Sequence, residues 1–557
     1  MERIDKMAKQ AKAQENILVQ AGFLMAAGMI SRVIGLLYRS PLTQVIGEAG
    51  IGYYSEAYTF YRNILMISSY SIPAAVSKVI AQKLAAREYR NAHRLFYCAM
   101  GYVLVVGFLA SMLLFFGAGL FVKEEAVPVL RTFAPTIFIF GILGVLRGYF
   151  QAHKSMVQTS ISQILEQIAN AIVSVGGAAL IIYVNLGGLA VPTEEAGRVE
   201  HAVLGAMGSA IGTGSGVLIA LIFMAGMYFL NRKMILRRVA RDAHENVDTY
   251  GQMIRTITMI VTPFILSTAV YNSNETINTF LYNKVLPSVR GLNSLLQHQK
   301  LGTYSLAFTV LNIPMAFASA MATAMIPTVA QASSEGKFDE ARESISTAVK
   351  STMILAIPSA AGLLVLAKPI VYILFPRSDE VVTLAGRLLM VMSVSVIFYS
   401  LSTLSNSLLQ GLGRVKVPIV NAGLALLIQT VLSAVLLLCT KIDLYGLAVT
   451  NTVYAGAMCI LNQMSLRKAI SYRQEWNRTF LRPLLAASVM GASARGLYQL
   501  LLMLFKSPRW ALIPAVLFAV IVYFVLLLAF KTMTEEEMRT LPKGGAILRL
   551  ARKLRLM

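Results

Sequence analysis

At 557 residues the chain is long enough for several soluble domains, yet 56% of it is hydrophobic and only 14% is charged, where a soluble globular chain carries roughly a quarter. That deficit excludes an ordinary water-soluble fold and points to an all-α bundle in a bilayer. The formal net charge of +23 sits in short Lys and Arg clusters between apolar runs, a pattern of loops held against an anionic cytoplasmic leaflet rather than of a nucleic-acid surface.

Residues 1–16 are polar and basic and read as a cytoplasmic segment. A span needs about 20 apolar residues, and about fourteen candidates follow: 17–38, 51–72, 95–121, 127–150, 158–184, 203–230, 254–284, 301–328, 347–375, 381–409, 415–440, 444–466, 483–505 and 510–530. The first is too long for a signal-peptide core and lacks a small-x-small cleavage site, so it reads as an uncleaved span. Segment 531–557 begins with three glutamates and ends basic, with Ile547, Leu550, Ala551 and Leu554 at helical spacing, which suggests a helix on the cytoplasmic surface. With the N-terminus inside and strict alternation, 32 of the 50 Lys and Arg fall on inner segments and 13 on outer ones. That bias is the one the positive-inside rule requires, and it places both termini in the cytoplasm.

Charged groups inside spans are costly unless they face the bundle interior, water or a partner, so they are the informative residues. Arg32 in the first span lies roughly 9 Å from its outer end, and Arg62 in the second lies roughly 16 Å from its outer end, close to the midplane. Guanidinium groups hold phosphate oxygens bidentately, which makes both candidates for anion binding. Glu56 sits six residues before Arg62, about 240° around one helix, so the two do not face each other. The competing structural reading pairs Glu56 with Arg32. The fifth span carries Gln163, Glu166, Gln167, Asn170 and Ser174 on one face, lining a cavity or a helix contact. The seventh carries Thr268, Tyr271, Asn272, Glu275, Asn278, Thr279 and Tyr282. A carboxylate among amides there suits Na⁺ binding or proton carriage, and Asn272, Glu275 and Asn278 are candidates for coupling or gating. Pairing with an arginine elsewhere is the alternative. Arg147 and Arg255 read as snorkelling from inner span ends, and Arg495 in the thirteenth span has no assigned part.

Two stretches echo each other. Pro73 to Phe96 and Pro327 to Ile345 both run from a proline-terminated span into a basic amphipathic linker, with Tyr89 matching Phe338 and Ala92 matching Ala341. Phe150 to Lys154 pairs likewise with Leu409 to Arg414. We read two homologous lobes, 17–230 and 254–468, joined by a basic linker at 231–253 and followed by two further spans at 483–530. Internal repeats around a shared site are characteristic of secondary transporters. Cys98, Cys439 and Cys459 lie in apolar stretches and read as small buried residues, not as a disulfide or metal framework. No Gly-rich phosphate loop, metal cluster or extended soluble region appears, so an enzyme is not expected and no cofactor is implied.

Ser31-Arg32-Val33-Ile34-Gly35, Pro73-Ala74-Ala75-Val76-Ser77-Lys78, Arg147-Gly148-Tyr149-Phe150-Gln151 and Ser162-Gln163-Ile164-Leu165-Glu166-Gln167 resemble the MurJ/SpoVB branch of the multidrug/oligosaccharidyl-lipid/polysaccharide exporter superfamily. The specific matches lie in the first lobe, while the second agrees mainly in span pattern. The resemblance implies two pseudo-symmetric six-helix lobes in a V shape plus two C-terminal helices, working by alternating access; the sequence leaves the oligomeric state open, with a monomer expected. It also implies flipping of lipid II, the undecaprenyl-diphosphate-linked peptidoglycan precursor, across the cytoplasmic membrane, with teichoic or capsular precursors as alternative cargo on the same fold. The family's first-helix cavity arginine maps onto Arg32, and its second-helix acidic and basic positions map onto Glu56 and Arg62. Its eighth-helix arginine has no counterpart between Leu301 and Pro327.

Overall fold

The computed structural model describes residues 26–532 apart from 71, 154, 241, 243–247, 292, 415, 441 and 531. The expected N-terminal segment, the start of the first span and the expected amphipathic tail therefore lie outside the described residues. The chain divides into two compact units at Gly302. This division falls later than the 231–253 linker, because the helix after that linker packs with the first unit.

The first unit begins with α1 (Ala26–Leu37) and α2 (Arg39–Leu65). Gly47 (φ 71°) breaks α2 near its start, in a backbone region that L side chains rarely enter. After a π-helical turn at Met66–Tyr70 come α3 (Ile72–Ala85), α4 (Tyr89–Phe116), α5 (Ala118–Phe121) and α6 (Val127–Ala152). Helices α7 (Met156–Leu186), α8 (Glu195–Ala240) and α9 (Tyr250–Arg290) follow. Helix α10 (Ser294–Ser334) starts in the first unit and continues into the second. An aromatic core of Tyr54, Tyr61 and Phe133 fills one half of the first unit, and Phe96, Tyr149 and Tyr228 fill the other. Helices α7 and α8 touch along a seam of glycines. A Cβ at Gly208 would strike the backbone of Ala178, one at Gly212 the backbone of Ser174, and one at Gly216 the carbonyl of Glu166. Small residues at four-residue spacing let backbones approach closely where lipid, not water, is the solvent.

The second unit holds the rest of α10, then α11 (Phe338–Leu374), α12 (Asp379–Ser393), α13 (Ser395–Gly411), α14 (Lys416–Cys439), α15 (Leu444–Ile470), α16 (Arg482–Phe505) and α17 (Pro508–Ala529). Its core is tied by buried amides: the Tyr399 hydroxyl donates to Asn451 Oδ1 at 2.6 Å, and Asn421 Nδ2 donates to Asn462 Oδ1 at 2.9 Å. Helix α11 contains Pro358 and Pro369. Each proline removes the N–H that would bond the carbonyl four residues back, Ile354 and Val365 respectively. The Tyr523 hydroxyl of α17 donates to the Ile354 carbonyl at 2.9 Å, and Arg495 Nη1 of α16 donates to the Val365 carbonyl at 3.0 Å. Arg495 thus supplies a donor the kinked helix lacks.

The echoing stretches have matching backbones. Arg87 (φ 62°) and Gly336 (φ 72°) both turn left-handed. Glu88 and Lys337 then follow with nearly equal torsions (φ −81°, ψ 68° and φ −85°, ψ 68°), and α4 and α11 start at the matched Tyr89 and Phe338. Likewise Ser155 N–H bonds the Phe150 carbonyl, and Arg414 N–H bonds the Leu409 carbonyl.

Among the described residues ten helices are long and apolar enough to cross a membrane, or eleven if the pair α12 and α13, bent by 47°, forms one span. By that measure the expected fourteen is not reached. Helix α1 is short within the described residues, and α2 carries Arg39, Glu48, Glu56 and Arg62. Cys98 and Cys459 are buried as expected, but Cys439, at the end of α14, is exposed.

Candidate functional site

Tyr54, Tyr58 and Arg62 recur every four residues along α2 and so share one face. Helix α9 meets this face: Arg62 Nη2 is bonded to Glu275 Oε2, and one residue on, Asn63 Nδ2 donates to Thr276 Oγ1. The Arg62 and Glu275 side chains keep 24% and 25% of their surface exposed. Charge is thus held beside space, not sealed in packing. Arg39 lies 6.0 Å from the Tyr54 ring centre, and the Tyr54 hydroxyl shares a 3.2 Å hydrogen bond with Thr213 on α8. The face of α2 that carries Arg62 therefore also carries buried and half-buried aromatic rings and a second cation, Arg39. The candidate gating residues lie on the same helix as Glu275, with Asn278 buried and Asn272 half-buried.

Glu56 lies on another face of α2, as the six-residue separation requires. Its carboxylate is 1% exposed and sits 2.6 Å from His298 Nε2, on α10. This corrects the pairing with Arg32: that guanidinium is exposed on α1, and the imidazole occupies the carboxylate instead. The Lys123 backbone N–H reaches Glu56 Oε1 at 3.4 Å, while its ammonium donates to Gln297. Burial pushes the Lys123 ammonium below its usual range, and the Glu56 and Glu125 carboxylates oppose that shift.

The α7 stripe is divided. Glu166 pairs with Arg147 at 2.8 Å, and Arg147 Nε donates to Ser162 at 2.9 Å. Arg147 is only 6% exposed, so it does not snorkel, whereas Arg255 is exposed. Ser174 donates to Asn170 Oδ1 at 2.8 Å within the glycine seam, which makes these two residues part of the α7–α8 contact. Gln163 is half-buried where α1 meets α7, its backbone carbonyl 3.3 Å from the Ser31 hydroxyl. Sequence reasoning selected Arg62, Glu56, Glu166 and Glu275 but missed Arg39, Lys123 and His298. Arg39 shares its spacing pattern with no other charge, and His298 is 242 residues from its carboxylate, beyond any periodic signal. Among the described residues no group of three or more His, Cys, Asp or Glu is placed to hold a metal ion.

Helices of this length and polarity, with ion pairs inside an apolar bundle, define a multi-pass membrane protein of transporter type. Residues 17–333 match the family described as Polysaccharide biosynthesis protein, and residues 288–435 match MatE. The chain belongs to the first of these families, within the MurJ/SpoVB branch of the multidrug/oligosaccharidyl-lipid/polysaccharide exporter superfamily. It is 26% identical to the lipid II flippase MurJ of Bacillus subtilis (strain 168) over 503 residues, covering 86% of this chain and 88% of that one. Stage V sporulation protein B of the same organism is 21% identical over 546 residues, covering 96% and 99%. In fold the chain is similar to the lipid II flippase MurJ in an inward closed conformation, with a TM-score of 0.60 at 14% identity over 92% of this chain and 97% of that one. The MurJ relatives are named as flippases, transporters rather than enzymes.

Proposed function

We propose that the chain flips an undecaprenyl-diphosphate-linked glycan, lipid II above the alternatives, from the cytoplasmic to the outer leaflet of the bacterial membrane. The observation that carries this reading is the Arg62–Glu275 pair: a midspan guanidinium, a quarter exposed, on an aromatic and cationic face of α2. A diphosphate crossing a bilayer must exchange water for fixed positive charge, and arginine supplies that charge without losing it to deprotonation. Arg62, and Arg32 on α1, are the groups assigned to the diphosphate. Glu275, with Asn272 and Asn278, is assigned to coupling: the carboxylate holds Arg62 until a competing anion arrives. Both termini lie in the cytoplasm, and two lobes alternate access around the substrate while the lipid tail stays in the bilayer. Membrane potential contributes about 2.3 kcal/mol per charge per 100 mV to resetting such a cavity.

The test is complementation of a strain depleted of its lipid II flippase. The wild-type chain should restore growth, while Arg62→Ala and Arg32→Ala, expressed to the same level, should not. Rescue by both variants removes the arginines from the mechanism. Absence of rescue by the wild type moves the assignment to a teichoic or capsular precursor.

A further inference from the structure

Where α2 crosses α10, the two backbones touch. A Cβ at Gly52 would collide with the His298 carbonyl, and one at Gly302 with the Glu48 carbonyl. His298 stacks on Tyr53 with ring centres 3.7 Å apart and an interplanar angle of 19°. The imidazole is wholly buried, and its two nitrogens face oxygen on both sides: Nδ1 is 2.7 Å from the Ser294 carbonyl, and Nε2 is 2.6 Å from Glu56 Oε2. A carbonyl only accepts, so the first contact places a proton on Nδ1. A neutral ring then turns a bare lone pair toward the carboxylate, and at 2.6 Å that arrangement repels. The second contact therefore needs one more proton, either on Nε2 as an imidazolium or on Glu56 as a carboxylic acid. The charged and titratable groups around the pair are Tyr53 on α2, Lys123 and Glu125 on the α5–α6 turn, and Lys284 on α9 beyond Lys123. None of these can supply the missing hydrogen within the 2.6 Å contact, because the imidazole and carboxylate are already in direct touch.

We infer that the Glu56–His298 contact is a proton-binding site that latches α2 to α10. With the proton bound, the crossing is held by a charge-assisted hydrogen bond. When it leaves to water, two acceptors face each other and the crossing opens. Closure is thus favoured while the site holds its proton and lost when the proton leaves. Under the topology proposed above, residues 48–56, 122–126 and 293–298 all lie at the outer end, so the latch responds to external pH. That placement rests on the flippase reading, whereas the proton site itself does not.

The experiment uses the full-length chain in lipid nanodiscs with ¹⁵N-labelled histidine, of which there are five. The His298 resonances, assigned by their loss in His298→Gln, should show both ring nitrogens protonated or sharing a proton with Glu56 near neutral pH, and should shift to the Nδ1–H tautomer under alkaline conditions. In Glu56→Gln a carboxamide N–H replaces the shared proton, so the ring should stay in the Nδ1–H form at every pH. With Cys439 replaced by serine, spin labels at Gln44→Cys and Leu296→Cys, both exposed and outside the contact, should report a separation that widens from pH 6 to pH 9 in the otherwise wild-type chain and stays short in Glu56→Gln. His298→Gln, whose amide donates directly to the carboxylate, should likewise lose the pH response. A wild-type ring indistinguishable from that of Glu56→Gln, together with no protonated-carboxyl infrared band that Glu56→Gln removes, overturns the proton site. A titrating ring with unchanged label separation overturns the latch, and neither result depends on which glycan is carried.

Discussion

Arg62 and Glu275 are both charged residues in otherwise apolar surroundings, and each makes the other tolerable. Removing one partner leaves a charge that the bundle cannot solvate, while removing both leaves none. The pair is a quarter exposed, so part of that penalty is relieved where water reaches it. We expect Arg62→Ala and Glu275→Gln each to lower the thermal unfolding temperature of the detergent-solubilised protein by more than the double variant implies. The coupling energy should fall in the range of about 0.5–3 kcal/mol. Additive losses would mean that the two side chains do not depend on each other. Sequence alone identified both residues, since a charge amid apolar residues is conspicuous in one dimension. It did not pair them, because 213 residues separate them and periodicity speaks only of neighbours on one helix. The same limit misassigned Glu56: the candidates weighed were arginines, but the partner is a histidine at a helix start, where histidines are common and unremarkable.

At the scale of the element, α11 shows how a broken helix is supported from outside. Pro358 falls within the span at 347–375, but nothing local in the sequence indicates that the orphaned Ile354 carbonyl is served by a tyrosine of α17. The two C-terminal helices lie outside the repeated pattern, and their contacts with α11 tie them to the second unit at two prolines. If the Tyr523 hydroxyl stands in for the missing backbone donor, its value depends on the proline. Tyr523→Phe in the wild-type background should cost roughly 0.5–1.5 kcal/mol. In a Pro358→Ala background the restored N–H bonds Ile354 itself, and the same change should cost close to nothing. Denaturation of the four proteins forms the cycle, and an equal cost in both backgrounds would show that Tyr523 contributes through packing alone. The glycine seam between α7 and α8 was similarly hidden. The stripe Glu166, Asn170 and Ser174 was read from its period, but whether a polar stripe lines a cavity or a contact depends on the facing helix.

For the whole molecule, the pattern of charge between spans makes a claim that individual contacts can check. Segments assigned to one side should meet only one another. In the first unit Asn293 donates to Glu195 at 2.8 Å and Glu56, near the outer end of the second span, meets both His298 and the Lys123 backbone, all at ends placed outside. Lys83 pairs with Asp248, and Arg90 N–H bonds Asp242, all from segments placed inside. In the second unit Arg342 donates to the Ile470 carbonyl and Arg482 to that of Phe530, inside with inside, while Lys368 pairs with Asp379 at the opposite ends of their helices. Misplacing a single span would have joined segments of opposite assignment downstream. Within each unit the contacts agree with the grouping of ends, and the positive-inside rule proposes which set faces the cytoplasm. Single cysteines at Glu194 and Ser378, both exposed, should therefore react with an impermeant maleimide in intact cells, with Cys439 replaced by serine to remove the exposed native thiol. Cysteines at Ala86 and Arg473 should react only after permeabilisation. A reversed pattern would mean that the basic segments lie outside and that the diphosphate-carrying arginines open to the wrong leaflet first. Opposite labelling of 194 and 378 would require an odd number of crossings between them, where the charge alternation demands four.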